Sequence, residues 1–149
     1  SDLPSAEDWA ARGPRERLAV IIVLDQFRRN LYRDDARAFE QDDLALLLCK
    51  DGLALKQDKG LSEVERIFFY LPLEHSEAPE DQERSVSIFT DLLVESREGF
   101  RDLIESTLQY AKDHKKVIDQ FGRFPHRNKA LGRDSTDEEK EWLAEGGGF

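Results

Sequence analysis

The chain has little of several things, and each shortage closes a class of function. There is one cysteine, Cys49, in 149 residues. No internal disulfide can form, and a reducing compartment, the cytoplasm, is the expectation. Basic charge is in deficit: 22 Lys and Arg stand against 32 Asp and Glu, a net charge of −10. A nucleic-acid interface needs a cationic face, and so does adsorption to anionic lipid, so neither partner is expected. Long apolar runs are missing too. The longest, "LAVIIVL" and "IFFYLPL", fall far below the ~18 residues of a membrane span. The opening "SDLPSAEDW" has neither the basic start nor the apolar stretch of a signal peptide. The motifs G-x-x-x-x-G-K-[ST], G-x-G-x-x-G, H-E-x-x-H and G-x-S-x-G are absent. "PHRN" lacks the aspartate of a kinase catalytic loop, and no Gly-rich loop precedes it. No cofactor is expected.

What is present is helical periodicity nearly everywhere, and no segment alternates polar and apolar as a surface strand would. The expected fold is one all-α domain over residues 1–149, with about six helices packed as antiparallel hairpins. The first helix starts at Pro14, where a missing N–H costs nothing. Its stripes, Leu18, Ile21 and Ile22 on one side and Val20, Leu24, Phe27 and Leu31 on the other, predict a central helix buried around most of its circumference. A second runs through "DLALLLCKDGLAL", capped by Asp42, with Leu44, Leu47 and Leu48 inward and Gly52 weakening its end. Cys49 within it reads as a buried, inert thiol. A third begins at the capping box Ser62 to Glu65, with Leu61 ahead of it, and should end or kink at Pro72. A fourth begins near Pro79. The fifth carries Leu103, Thr107, Tyr110, His114, Val117, Ile118 and Phe121 along one face, with Gly122 as its stop. The last is expected from Ser135, boxed by Glu138, and ends before a mobile "GGGF". "VLDQFRRN" at 23–30 echoes "VIDQFGRF" at 117–124, through either pseudo-symmetric packing or chance.

Three polar clusters fall at helix ends. The first is Asp25, Gln26, Arg28, Arg29 and Asn30, in which Asp25 and Arg29 can pair along the helix. The second, "LPLEHSEAPEDQER", holds Glu74, His75, Glu77, Asp81, Gln82 and Arg84. The third, "FGRFPHRN", holds Arg123, His126, Arg127 and Asn128. Two readings stay open. The acidic residues Glu74, Glu77 and Asp81 can partner Arg123 and Arg127, making a clasp of charge-assisted pairs. Otherwise the arginines and Asn128 hold an anion, and His75 or His126, in non-helical Pro-flanked segments, supplies acid–base chemistry. His114 reads as a core histidine. No pair of histidines and carboxylates has a recognised ligand spacing, so no metal is expected.

At these clusters "LDQFRRN", "FFYLPLEHSE", "DQERSV" and "FGRFPHRNKALGR-ST" resemble the bacterial family called domain of unknown function 924. The resemblance runs from about Leu18 to Phe149. It implies an all-helical, tetratricopeptide-like fold and no activity. Members commonly have Pro where this chain has Arg28, and Glu-Arg where it has Asp119 and Gln120. They also start with a longer aromatic-rich segment, which implies that a helix able to cover the core or wall a pocket belongs before Trp9. Its absence would favour a homo-oligomer. The resemblance supports candidate ligand-binding residues at Glu74, His75, Arg123, His126, Arg127 and Asn128, with Asp25, Arg29, Asn30 and Asp81 as secondary candidates.

Two functions from different classes remain. One is a protein- or peptide-binding scaffold, favoured by the fold resemblance and the lack of catalytic motifs. The other is an enzyme or binder for a small anionic metabolite, phosphorylated ones included.

Overall fold

The computed structural model describes residues 3–149, and among them only helices and turns form. Eight α-helices are present among the described residues, where the periodicity predicts about six. The two extra ones are short. α1, Ala6–Ala10, is closed by a reciprocal capping box between Ser5 and Asp8, and α7, Asn128–Leu131, is one turn. Neither is long enough for an apolar period to register.

α2 starts at Pro14–Ile22, passes through a π-helical turn at Val23–Phe27 and continues as Arg28–Leu31. Its first half is buried at Leu18 and Ile21, but Phe27 is 53% and Leu31 74% exposed. Of the expected second stripe, Val20 and Leu24 pack against the core, and the distal half fails for a definite reason. A π turn inserts the equivalent of one residue, which rotates everything downstream by roughly 100°. α3, Asp42–Ala54, buries Ala45, Leu48, Cys49 and Gly52 and leaves Leu47 half exposed. Gln41, not Asp42, occupies its cap position. Gly52 is set by packing: a Cβ there would run into the Phe69 ring and the Arg17 side chain. α4, Glu63–Glu74, has the predicted Ser62–Glu65 box and continues two residues past Pro72. A proline in the last turn removes one N–H there, while His75 still donates to the Leu71 carbonyl at 3.0 Å.

α5, Pro79–Glu95, and α6, Arg101–Phe121, pack along each other. The inward face of α6 is Ile104, Leu108, Ala111, His114, Val117 and Ile118, while Leu103 and Tyr110 face solvent. The buried stripe is thus turned from the predicted one, although His114, Val117 and Ile118 belong to both. Gly122, with φ of 74°, ends α6 in the left-handed conformation that glycine adopts freely. α8, Asp137–Ala144, is boxed by Thr136 and Glu139, one residue later than predicted.

The main core joins Leu18, Ile21, Leu48, Phe69, Tyr70, Leu73, Phe89, Leu92, Ile104 and Leu108 from α2 to α6. A second, smaller cluster gathers Val117, Ile118 and Phe124 with Phe121 and Trp142. The "GGGF" tail is in place rather than loose: the Phe149 ring stacks on His114 at 3.7 Å. The 23–30 and 117–124 echo carries no symmetry, because Asp25 is buried while Asp119 is exposed and pairs with Lys115. No helix among the described residues is long and apolar enough to cross a membrane.

Candidate functional site

The site is assembled at the ends of helices, where backbone groups and polar side chains lack helical partners. The π turn of α2 aims Asp25 inward, where its side chain is 2% exposed. One Asp25 oxygen accepts from His75 Nδ1 at 2.7 Å and from Arg29 Nη1 at 3.0 Å; the other accepts from Gln26 Nε2 at 2.6 Å. His75 caps the C-terminus of α4. The turn around it is held by Gln82, which donates to the Glu74 and Ser76 carbonyls at 2.7 and 2.6 Å. Burial works against the charged form of Asp25. The charge and hydrogen bond of His75, followed by Arg29 and Gln26, overcome it and hold the carboxyl at about 2. Burial also pushes the His75 imidazole below its usual range, against the pull of Asp25. A neutral His75 ring donates to Asp25 from Nδ1. Its Nε2 keeps a lone pair that can take a proton or bind a cation.

Arg29 also forks onto Asp42 at the start of α3, with two bonds of 2.8 Å. Asp42 suits that position because the helix N-terminus favours negative charge. Arg127 lies beside this pair and is less well satisfied. Its guanidinium carbon is 4.6 Å from the Phe39 ring centre and 4.7 Å from that of Phe124. One nitrogen donates to the His75 carbonyl at 2.9 Å and another stands 3.7 Å from Asp42. Its Nε is buried with no hydrogen-bond partner. Burial, with Arg29 second, lowers its pKa to about 10, so it stays charged at neutral pH.

Phe39, His75 and Arg127 separate two cavities of opposite character. One, of about 450 Å³, is lined by Asp25, Asp42, Asp43, Glu77 and Asp81, together with Leu46 and Ser76. The other, of about 580 Å³, is lined by Arg29, Arg33, Arg127 and Lys129, by all three histidines, and by Gln26, Asp34 and Phe149. Arg33 and Lys129 are exposed at its rim. Burial depresses both His126 and His114 to about 4, so both are neutral at pH 7. His126 Nδ1 is buried without a partner.

His114 lines this cationic cavity, and Glu74 lies behind it, outside the lining. His114 Nδ1 is 2.7 Å from the Tyr110 carbonyl and 3.9 Å from Glu74 Oε2. Glu74 is 4% exposed, and its Oε1 has no hydrogen-bond partner. Burial, with the charge of Asp25 second, pushes its carboxyl up to about 8. One ligand atom each from Glu74, His75 and His114 falls within 4.8 Å of the others, so these three residues could hold a metal ion.

The predicted residues divide. Glu74, His75, His126, Arg127, Asp25 and Arg29 converge as described. Arg123 goes elsewhere: it forks onto Glu139 at 2.8 Å and donates to the Asp134 carbonyl. Asn128 is buried between Ser135 and Arg133, Asn30 is exposed, and Asp81 is taken by Lys50 and Ser76 while lining the acidic cavity. The expected pairing of Glu74, Glu77 and Asp81 with Arg123 and Arg127 does not form. Glu77 instead binds Arg133 and the Phe124 N–H, because Gly122 turns Arg123 toward α8. Sequence reading passed over Phe39, Asp42, Arg33, Lys129, Arg133, Glu139 and Phe149. Lys129 adjoins "FPHRN" and could have been included. Arg133 lies in the quoted stretch "FGRFPHRNKALGR-ST", and Asp42 was read only as a helix cap; Phe39, Arg33, Glu139 and Phe149 carry no such signal.

Comparison with known proteins adds kinship without chemistry. The family model described as "Bacterial protein of unknown function (DUF924)" matches residues 3–147. A solved structure of a protein of unknown function from Agrobacterium tumefaciens is similar at 34% identity. It superposes with a TM-score of 0.80, covering 94% of this chain and 73% of that one. No curated protein matches.

Proposed function

Since the chain belongs to the bacterial family of unknown function called domain of unknown function 924, and membership brings no activity with it, we propose from the site itself that the cationic cavity binds a small anionic metabolite. A phosphorylated compound suits it best. Arg127 supplies the buried charge, Arg33 and Lys129 receive the ligand at the rim, and His126 offers a neutral ring nitrogen. The observation that carries the reading is Arg127 Nε, a charged donor buried beside the cavity and left without an acceptor. Such donors are rare in folded proteins and costly unless a ligand or water meets them. A phosphate oxygen would meet it while the neighbouring Phe39 and Phe124 rings hold the guanidinium in place.

Thermal denaturation tests this. Inorganic phosphate, pyrophosphate or a sugar phosphate at about a hundredfold its Kd should raise the Tm by roughly 5–10 °C. Arg127→Ala should lose that shift. Because Arg127 is buried, Arg33→Ala and Lys129→Ala serve as folded companions. If none of these anions, at millimolar concentration, stabilises the parent protein, the reading is wrong.

A second reading, a tetratricopeptide-like module of helical hairpins that binds a protein or peptide, is supported by a different observation. Val23, Phe27 and Leu31 expose apolar surface one turn apart on the distal half of α2. Isolated exposed apolar residues are ordinary, but a line of them is the pattern of a helix-docking face. Light scattering of the parent and of Phe27→Asp distinguishes the two. A monomer in both, with no partner captured, removes this second reading.

A further inference from the structure

We infer that Glu74, His75 and His114 form a binding site for one divalent transition-metal ion of the zinc type, at the inner end of the cationic cavity. Four observations meet there. First, the donor set is a carboxylate and two imidazoles, which suits zinc and its first-row neighbours better than calcium or magnesium. The ligand atoms lie within 4.8 Å of one another. Ligands around a tetrahedral zinc are separated by roughly 3.4 Å, so the three need to close by about an ångström.

Second, both rings are held in position from behind. His75 Nδ1 is 2.7 Å from Asp25, and His114 Nδ1 is 2.7 Å from the Tyr110 carbonyl. At His75 the acceptor favours the proton on Nδ1 and leaves Nε2 free to ligate; at His114 the carbonyl holds the ring so that Nδ1 stands 3.9 Å from Glu74 Oε2. A carboxylate or carbonyl behind a histidine is the usual support of a metal-bound imidazole. Third, Glu74 Oε1 is buried and unpartnered on a residue that is 4% exposed. A cation would satisfy it. Arg29 pairs with Asp25 and Asp42, and among the described residues the only basic group within ion-pair range of Glu74 is His114 at 3.9 Å. Fourth, the pair Glu74 and His75 closes the C-terminal end of α4, where the helix dipole favours a cation.

His75 and His114 both line the cationic cavity. Three protein ligands would therefore leave a coordination position open on the cavity side, as in reactive rather than purely structural zinc sites. The site stands without the anion reading, and the two fail separately: metal binding is measured in phosphate-free buffer, anion binding in chelator-treated protein.

The test is a calorimetric titration of Zn²⁺ into the chelator-treated full chain, with elemental analysis of the loaded protein. One equivalent should bind. His114→Ala and Glu74→Gln should weaken binding by more than a hundredfold, and Asp25→Asn by roughly 10–100-fold through the orientation of His75. Asp43→Asn, in the neighbouring acidic cavity, should leave it unchanged. Co²⁺ in the parent should give visible absorption bands of nitrogen and oxygen ligation, which keeps the proposal testable if His114→Ala does not fold. Absence of both Zn²⁺ uptake and Co²⁺ bands would overturn it. So would affinity that survives His114→Ala in the folded variant, or that follows Asp43 instead.

Discussion

Arg123 and Arg127 stand one helical turn's worth of sequence apart, and they live in different chemical worlds. The fork of Arg123 is filled by both oxygens of Glu139 and by the Asp134 carbonyl, so it ties the end of α6 to the start of α8. Four residues on, Arg127 is clamped by two aromatic rings, shares one carbonyl, and keeps a buried N–H with nothing to bind. The first region is a clasp, because Nε and Nη2 of Arg123 both meet the Glu139 carboxylate. The second is a cavity wall, because the carboxylate nearest to Arg127 already belongs to Arg29. Residue type does not separate a structural arginine from a binding one. What separates them is whether an internal anion has already taken the charge.

That contrast can be broken in three places. The largest effect is expected from Arg123→Ala, which strands the buried Glu139 carboxylate. Its Tm should fall by roughly 5–10 °C while the phosphate-induced shift of the folded protein persists. Loss of the shift at unchanged Tm would merge the two regions into one.

A smaller effect concerns acid. Arg123, foremost, holds the Glu139 carboxyl at about 2, below its ordinary 4.5. A depressed carboxyl stabilises the fold above its unfolded pKa and loses that contribution as pH falls. The clasp should therefore weaken between about pH 4.5 and 2. Trp142, packed edge-on to Phe121 in the same cluster, reports this by fluorescence in a Trp9→Phe background. Glu139→Gln should lack the transition.

The smallest effect belongs to the cavity rim. Arg33→Ala and Lys129→Ala should each weaken phosphate binding about two- to fivefold, the scale of an exposed charge. Neither should move the Tm by more than about 2 °C, because both side chains are exposed.

Some of this was readable along the chain and some was not. The starts and stops were local chemistry. Ser62 with Glu65, Pro14, Pro79 and Gly122 all mark the helix boundaries that form. Burial of the thiol of Cys49 followed from its apolar helix, and that burial raises its pKa to about 12. The faces were less readable. One π turn moved Phe27 and Leu31 to the surface, although their spacing along an unbroken α-helix predicts burial. Short helices such as Ala6–Ala10 and Asn128–Leu131 fell below the length at which a period can be seen.

By itself the sequence determined an all-helical chain, its family, most helix ends, and the three polar segments from which the site is drawn. These follow from periodicity, capping and proline or glycine geometry, all of which act within a turn or two of the backbone. Tertiary structure alone decided which arginine meets which carboxylate. It brought Glu74 and His75 to His114, and Arg29 to Asp42, and it seated Phe149 on an imidazole. The physical reason is that a charge pair is selected by distance in space. In a chain with 32 acidic residues, every arginine has many candidate partners along the sequence and very few within reach once the helices pack.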